Sequence, residues 1–331
     1  MTILTLDQWD QYINQHPEAH LLQTGAWGEV KSAFGWEPVR VVHGEAGAQL
    51  LFRRLPLGFT VAYLPKGPVG KDWIALWPDI HRLCRQKRAI FLKVEPDAWE
   101  PLSPEQLNSL DAFRAEAVTV QPRRTLVVDL RGNEVDWLAR MSKKTRACFR
   151  TAEKGGVKAY LSTDIEAFYH LLSETGERDA FGVHTLSYYR KVFSQFVAQD
   201  QVALILADWE SRPLAGVMVF ALGKRAWYLY AASSGEHREL NPTYLVQLEA
   251  MRWASRKGCR EYDLYGVPDF DEETLEAQFS ERQDGLWGVY GFKRKFGGRL
   301  MRTAGAWERI YQPAMYWLYR LYTRRRGTDA G

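Results

Sequence analysis

The sequence Ala203-Leu-Ile-Leu-Ala-Asp-Trp209, followed by Glu210-Ser-Arg-Pro213 and then by Ala215-Gly-Val-Met-Val-Phe-Ala221, is the most informative about the fold. Both outer segments are short and apolar, and turn-forming residues separate them, which predicts an antiparallel hairpin. Because strands that flank a helix tend to lie parallel, the elements that follow predict a mixed α/β sheet. They are a strand, a helix and a strand, at residues 227–232, about 242–257 and 261–265.

The first half of the chain has the same order of elements. Residues 39–52 contain two strands around a Gly-rich turn, and a strand, a helix and a strand follow them, at 59–64, about 73–86 and 89–95. Such a repeat predicts two sister domains. A strand at 125–130 and the turn Arg131-Gly-Asn133 separate the halves. We therefore expect one domain at 1–132, completed by a C-terminal helix in 305–331, and a second at 133–304.

The composition is typical of a folded cytoplasmic protein. The 331 residues are 46% hydrophobic and 25% charged, with a net charge of +4, so a nucleic-acid partner would have to meet a local basic patch. No apolar run approaches the roughly 18 residues of a membrane span. The acidic start around Asp7 does not predict a secretory signal. Three scattered cysteines, at positions 84, 148 and 259, predict neither a disulfide framework nor a metal site.

Common catalytic motifs are missing from the sequence. It contains no GxxxxGK[ST] loop, no GxGxxG between a strand and a helix, no GxSxG and no HExxH. No intact [QR]xxGx[GA] turn, which cradles coenzyme A in acetyltransferases, precedes a helix. These absences make simple hydrolases and oxidoreductases poor candidates, and we expect no cofactor.

Two stretches are rich in basic residues. A helix predicted at about 135–154 places Lys143, Arg146 and Arg150 on neighbouring turns, where they suit phosphate contacts. A solvated helix face explains the same pattern equally well. The second stretch, Trp287–Arg299, combines glycines and aromatic rings with Lys293, Arg294, Lys295 and Arg299.

Several segments, in this order, resemble the Fem family of peptidoglycan-bridge aminoacyltransferases (FemA, FemB and FemX). They are Leu22–Lys31 with Gly35-Trp36, Tyr63–Val69, Lys144–Val157, Glu174–Phe181, Tyr228–Ser234, Tyr262–Val267 and Gly291–Gly298. The resemblance implies two domains of the acetyltransferase-like (GNAT) fold. It also implies transfer of an amino acid from aminoacyl-tRNA to the stem-peptide amine of a UDP-linked or lipid-linked precursor. No sustained heptad repeat suggests a coiled-coil arm, so the chain looks closer to the compact FemX form.

The resemblance also implies roles for individual residues. Lys31, with Trp36 nearby, matches a lysine that holds the precursor diphosphate, whereas His184 stands where the family has a second cation, an arginine four residues before Tyr188. The family's Phe-Lys pair near the acyl-transfer centre matches Phe292 and Lys293. A tyrosine near the acceptor peptide matches Tyr230 or, less well, Tyr228.

The implied reaction needs a positioned cation and a proton acceptor. An aminoacyl ester is already activated, so a preorganised cation such as Lys293 would stabilise the oxyanion that develops. Glu95, Asp97 and Asp263, at strand ends, are candidate proton acceptors, although strand-end turns commonly carry such residues and substrate-assisted transfer is equally plausible. Both basic stretches, Lys143, Arg146 and Arg150 with Arg294, Lys295 and Arg299, are candidate tRNA contacts.

Other interpretations are compatible with the same sequence. The chain could be an acyltransferase with another donor or a peptide acceptor, or a non-catalytic module that binds tRNA or precursor. The Tyr- and Trp-rich helix at 311–322, with Arg324–Arg326 after it, fits a helix packed on its own domain or one at a membrane surface. We expect a cytoplasmic monomer, with peripheral contact to the inner face of the membrane as an additional interpretation.

Overall fold

A computed structural model describes residues 1–179 and 182–326 of the chain, of which 324–326 are described by their backbone only. The chain divides into two compact units. The first unit holds Met1–Arg123 together with the chain from Arg302 onward, and the second unit holds Arg124–Met301.

The strands are numbered in chain order. Residues up to 123 form β1 (Thr2–Leu4), β2 (Trp36–His43), β3 (Ala46–Arg54), β4 (Thr60–Pro65), β5 (Ala89–Glu95) and β6 (Arg114–Glu116). The second sheet contains β7 (Arg124–Asp129), β8 (Lys158–Ser162), β9 (Val202–Trp209), β10 (Arg212–Leu222), β11 (Arg225–Ser233), β12 (Glu261–Asp263) and β13 (Arg299–Arg302). The last strand is β14 (Ala306–Ile310).

The α-helices follow the same order. They are α1 (Leu6–Asn14), α2 (Gly25–Ser32), α3 (Trp73–Gln86), α4 (Pro104–Ser109), α5 (Glu134–Ala139), α6 (Lys143–Lys154), α7 (Ile165–Asp179), α8 (Leu186–Val197), α9 (Pro242–Arg256), α10 (Glu272–Gln278), α11 (Trp287–Lys293) and α12 (Pro313–Arg326).

The first unit is built on a seven-stranded sheet with the order β1-β2-β3-β4-β5-β14-β6. Its strands are antiparallel except β4 and β5, which α3 connects and which run parallel. The apolar side of α3, including Leu76 and Ile80, packs with Leu50 and Leu92 in one buried cluster. On the other face, Val61 and Phe91 pack with residues of α12, so this helix belongs to the first unit.

The second unit repeats this plan in a sheet with the order β13-β7-β12-β11-β10-β9-β8. Strands β8 to β11 pair antiparallel, whereas β11 and β12, which α9 connects, run parallel. Three antiparallel strands, a helix and a parallel strand therefore occur in both units. This confirms the mixed α/β fold with two sheets that the sequence predicts.

Two features interrupt the regular pairing of the second sheet. Pairing between β11 and β12 ends at Trp227 and Asp263, although β11 continues to Ser233. In addition, the register of β10 and β11 shifts, because Met218 pairs with Tyr230 and the next residue, Val219, pairs with Tyr228. The residue between the two tyrosines is thus a β-bulge, which reverses the faces that the side chains around it occupy.

The unit boundaries differ from those expected from the sequence. The first unit ends at Arg123 and not at 132, because β7 pairs with β12 in the second sheet. The first unit resumes at Arg302, three residues before the start of the expected C-terminal segment, and contributes a strand, β14, as well as a helix.

The single helix predicted at about 135–154 is wrong, because the structure has two helices there. Helix α5 ends at Ala139, and Ser142 caps α6 by accepting a hydrogen bond from the backbone N–H of Thr145 at 3.1 Å. A serine at this position favours a new helix start, since its side chain satisfies a backbone donor that lacks an intrahelical partner.

Replacing Gly70 with any other residue is expected to destabilise the first unit. Its φ is +80°, and a Cβ there would lie 2.1 Å from the carbonyl oxygen of Glu45, whereas at Gly35, with φ +85°, a Cβ would meet nothing within 4 Å. We predict that Gly35→Ala costs about 1 kcal/mol through backbone strain alone. Gly70→Ala should cost roughly 2 to 4 kcal/mol, because the clash adds to the strain. Urea unfolding of both variants measures the difference, and equal losses would contradict the packing described.

Candidate active site

The side chain of Lys293, the last residue of α11, is buried in the second unit with 5% of its surface exposed. Its Nζ donates hydrogen bonds of 2.7 Å to the carbonyl oxygens of Tyr265 and Gly266, and it lies 5.4 Å from the centroid of the Tyr228 ring. The chain can present both carbonyls to one atom because Tyr265 and Gly266, two and three residues after the end of β12, adopt positive φ values of 46° and 85°. The lysine therefore lies beside the end of the β11–β12 pairing.

Burial and one nearby carboxylate act on the Lys293 amine in opposite directions. Burial lowers the pKa of Lys293 to about 7, while the negative charge of Asp263 raises it. At neutral pH the amine is thus present in both its charged and its neutral form. A neutral amine that donates two hydrogens to carbonyls still has its lone pair available to accept a proton.

Asp263 is held in place by two hydrogen bonds. Its Oδ1 accepts one from the Thr125 hydroxyl at 2.5 Å and one from the backbone N–H of Tyr265 at 2.8 Å. The second bond ties the carboxylate to the turn that binds Lys293. Of the three carboxylates expected from the sequence as proton acceptors, Asp263 is the one placed beside the candidate catalytic lysine.

The tyrosines Tyr228 and Tyr230 lie on opposite faces of the sheet. Two residues apart in a regular strand, they would share a face, but the bulge between them separates their side chains. Tyr228 packs against the core that includes Tyr262 and lies beside Lys293. Tyr230 instead contacts Phe220, at 6.1 Å between ring centroids.

Tyr230 belongs to an aromatic cluster at the N-terminal end of α8. The hydroxyls of Tyr188 and Tyr230 are 3.1 Å apart, and the ring of His184 stacks on Tyr188 with centroids 4.0 Å apart. Burial raises the pKa of Tyr188 and, more strongly, that of Tyr230, so both hydroxyls keep their protons at neutral pH. The structure thus brings together three residues that the resemblance implies bind substrate.

Phe292, on α11, packs against aromatic rings of the second unit. Its ring meets those of Tyr244 and Phe296 edge to face, with centroids 5.2 and 5.0 Å apart. This contact fixes the helix that carries Lys293.

Glu95, another candidate proton acceptor, lies in the first unit and is surrounded by hydrogen-bond donors. It is buried in the first unit and accepts hydrogen bonds from the Tyr63 hydroxyl at 2.6 Å and from the backbone N–H groups of Val120 and Gln121 at 2.5 and 3.0 Å. Three hydrogen-bond donors therefore surround this carboxylate. Asp97, two residues later, is partly exposed in the same unit.

Lys31 and Trp36 both lie in the first unit, near the end of α2 and the start of β2. Lys31 Nζ lies 5.1 Å from the ring centroid of Trp27, one turn earlier on α2. Arg53 Cζ lies 5.6 Å from the ring centroid of Trp36. Burial and the positive charge of Arg53 both lower the pKa of Lys31.

The six candidate tRNA contacts fall into two groups. Lys143, Arg150 and Arg299 are exposed. The other three hold the second unit together: Arg146 donates to the carbonyls of Leu138, Ala139 and Met141, Arg294 pairs with Glu276, and Lys295 donates to the Tyr244 hydroxyl.

The groups that hold Lys293 and Asp263 were not predicted from the sequence. They are the carbonyls of Tyr265 and Gly266 and the hydroxyl of Thr125, although the segment Tyr262–Val267 carries part of the family resemblance. The available signal was a glycine directly after a strand, which marks a tight turn. No three His, Cys, Asp or Glu side chains in the described part of the chain converge as metal ligands would.

Known proteins with the same fold span nearly the whole chain. The structure superimposes on "Crystal structure of FemX" with a TM-score of 0.83 and 22% identity, covering 96% of this chain and 99% of that one. A tandem GNAT protein from the clavulanic acid biosynthesis pathway gives a TM-score of 0.52 at 12% identity, covering 92% of this chain and 93% of that one. These likenesses confirm the fold.

Sequence relatives include enzymes named lipid II:glycine glycyltransferase. Those from Staphylococcus haemolyticus and Staphylococcus aureus are 24% and 23% identical to this chain, and each match covers 95% of the chain and 94% of the relative. The alignments span 404 and 406 positions, more than the 331 residues of this chain, so these relatives contain inserted residues that this chain lacks. The model of the FemAB family matches residues 4–111, 107–212 and 207–324. The resemblance seen in the sequence is confirmed, and the chain belongs to the FemAB family.

Proposed function

We propose that this protein is an aminoacyltransferase that builds interpeptide bridges of peptidoglycan. It moves an aminoacyl group from aminoacyl-tRNA to the stem-peptide amine of a precursor. The observation that carries the proposal is the buried Lys293 amine at the end of the β11–β12 pairing, in a chain of the FemAB family. Because the relatives named above act on lipid II, a lipid-linked precursor is the preferred acceptor.

The proposed chemistry is aminolysis of an ester. The acceptor amine attacks the aminoacyl carbonyl, the C–N bond forms, and the bond from the carbonyl carbon to the tRNA ribose oxygen breaks. Neutral Lys293 takes the proton that the attacking nitrogen loses. The resulting ammonium stabilises the oxyanion, and its proton then passes to the ribose oxygen as this leaves. Its pKa of about 7 suits both directions of this transfer.

The donor would meet the exposed cations of α6. Lys143 and Arg150 lie on its exposed side, where neither is used to hold the helix, whereas Arg146 is bound to backbone carbonyls. Such cations bind phosphates without reading sequence, and their contribution falls as salt rises.

The outer face of α12 would contact an anionic membrane surface. Trp317, Leu318 and Tyr322 are 62%, 49% and 53% exposed, while the inner face packs on Phe91. The sequence continues with Arg324–Arg326 at the end of this helix. Aromatic rings and arginines together favour the bilayer interface, where a lipid-linked precursor resides. No helix among the described residues is long and apolar enough to cross a bilayer.

The role of Lys293 predicts a specific pH dependence. Lys293→Met should lower the rate of transfer at least about 100-fold, whereas the exposed Lys158→Met should not. In the wild type the rate should rise with pH through about 7, as the amine loses its proton. Asp263→Asn keeps both hydrogen bonds to Oδ1 but removes the charge that raises the lysine pKa, so the midpoint should move to lower pH.

Radiolabelled transfer from tRNA to soluble and lipid-linked precursors, followed across pH, measures these effects. Full activity in folded Lys293→Met would refute the proposed chemistry. Transfer by the wild type to unrelated peptides alone, or no transfer at all, would refute the proposed function.

The donor site predicts a change in salt dependence. Lys143→Gln with Arg150→Gln should weaken tRNA binding and reduce the slope of log affinity against log salt by about 1 to 2. Lys71→Gln, an exposed lysine of the first unit, serves as the control and should leave the slope unchanged. Filter binding at several salt concentrations measures both. An unaltered slope in the double variant would place the tRNA elsewhere.

The membrane surface predicts lipid-dependent sedimentation. The wild type should sediment with phosphatidylglycerol vesicles and much less with phosphatidylcholine vesicles. Trp317→Ser with Tyr322→Ser should weaken this binding about tenfold or more, since each ring buried in the interface contributes over 1 kcal/mol. Leu161→Ser, which changes a residue 60% exposed in the second unit, is the control. Equal binding by both variants would contradict a role for α12.

A further inference from the structure

Arg53 and Lys31 form a positively charged corner in the first unit. Arg53 lies on β3 directly opposite Trp36 on β2, and paired residues of antiparallel strands point to the same face of a sheet. Its guanidinium lies over the Trp36 ring, as Lys31 Nζ lies beside the ring of Trp27. Each of the two cations thus lies against the ring of one tryptophan.

The electrostatics of this corner favour an anion. Both influences that act on the pKa of Lys31, its burial and the charge of Arg53, oppose its positive form. Like charges held close together at a partly buried place cost free energy, and a bound anion that contacts both removes that cost.

The same face of the sheet contains a cavity of about 130 Å³. Trp36 and Val61 line it, and these residues are the two cross-strand partners of Arg53, one on each neighbouring strand. The rings of Tyr63 and Phe91 line it as well. An anion at the charged corner would therefore lie next to an aromatic cavity that can take an attached group.

From this arrangement, and given the proposed function, we infer that Arg53 is the second cation that binds the diphosphate of the precursor, beside Lys31, to which the family resemblance assigns the first contact. The family resemblance would place that cation at His184, which lies in the second unit and stacks on Tyr188. A guanidinium binds two phosphate oxygens at once and stays charged at every physiological pH, which an imidazole does not. Nucleotide-linked and lipid-linked precursors both contain the diphosphate.

Arg54 provides a matched control. It is the next residue of β3, is likewise exposed to solvent, and points to the opposite face because side chains alternate along a strand. Arg53→Gln and Arg54→Gln therefore remove the same charge from the same strand, but only the first removes it from the proposed site. Arg53→Lys keeps the charge and loses the paired hydrogen bonds.

The experiment compares KM and kcat for three acceptors that have the same muropeptide: one on a nucleoside diphosphate, one on a polyprenyl diphosphate and one without diphosphate. Arg53→Gln should raise KM at least about tenfold for the diphosphate acceptors, with little change in kcat. It should not alter KM for the third acceptor, and Arg54→Gln should alter none. Arg53→Lys should lie between. An effect limited to the nucleotide or to the lipid acceptor would assign the site to that source.

Calorimetry with inorganic pyrophosphate tests the site without catalysis. The wild type should bind it, and Arg53→Gln should bind at least about tenfold more weakly. Unchanged pyrophosphate affinity and unchanged KM in Arg53→Gln would overturn the inference while leaving the aminoacyltransferase proposal intact. Arg53-dependent pyrophosphate binding by a protein that transfers nothing from tRNA would support the site and refute the proposed function. A diphosphate-dependent rise in KM in His184→Ala but not in Arg53→Gln would also overturn the inference.

Discussion

Burying one lysine amine constrains the centre of the second unit. A buried ammonium costs several kcal/mol unless it is hydrogen bonded, and at Lys293 two backbone carbonyls meet this need. These carbonyls face the amine because the chain turns sharply after β12, with Tyr265 in a left-handed conformation. Asp263 accepts the N–H of that same residue, so the turn, the carboxylate and the lysine are linked. The backbone that follows β12 thus supplies two hydrogen-bond acceptors to the buried Lys293 amine.

The repeated order of elements could be predicted from the sequence, because it depends on local patterns. Apolar strands, turn residues and a helix with one apolar face appear twice in the same order along the chain. Each set forms one sheet with its connecting helix. Features that depend on pairing between distant segments could not be predicted in this way. The bulge between Tyr228 and Tyr230 reverses one side chain through register alone. Ser142 divides the single helix expected around it, because its side chain accepts the backbone N–H of Thr145 and starts a new helix.

The candidate site could be predicted in part, and for different reasons at different residues. Lys293 follows from the family resemblance, whereas its hydrogen-bond acceptors are backbone atoms and leave no side-chain pattern in the sequence. Glu95 has the chemistry of a proton acceptor, but its three donors come from residues up to 32 positions away. Arg53 looks like an ordinary strand residue until the register places it opposite Trp36.

The position of β14 has a consequence for how the protein is made. It lies between β5 and β6, so the first sheet cannot close until residues 306–310 have left the ribosome. The second unit is one continuous stretch, Arg124–Met301, and all of it is synthesised before that strand. Domains generally fold as units during translation. The second unit can therefore fold first, while the edges of β5 and β6 that β14 will pair with are still unpaired.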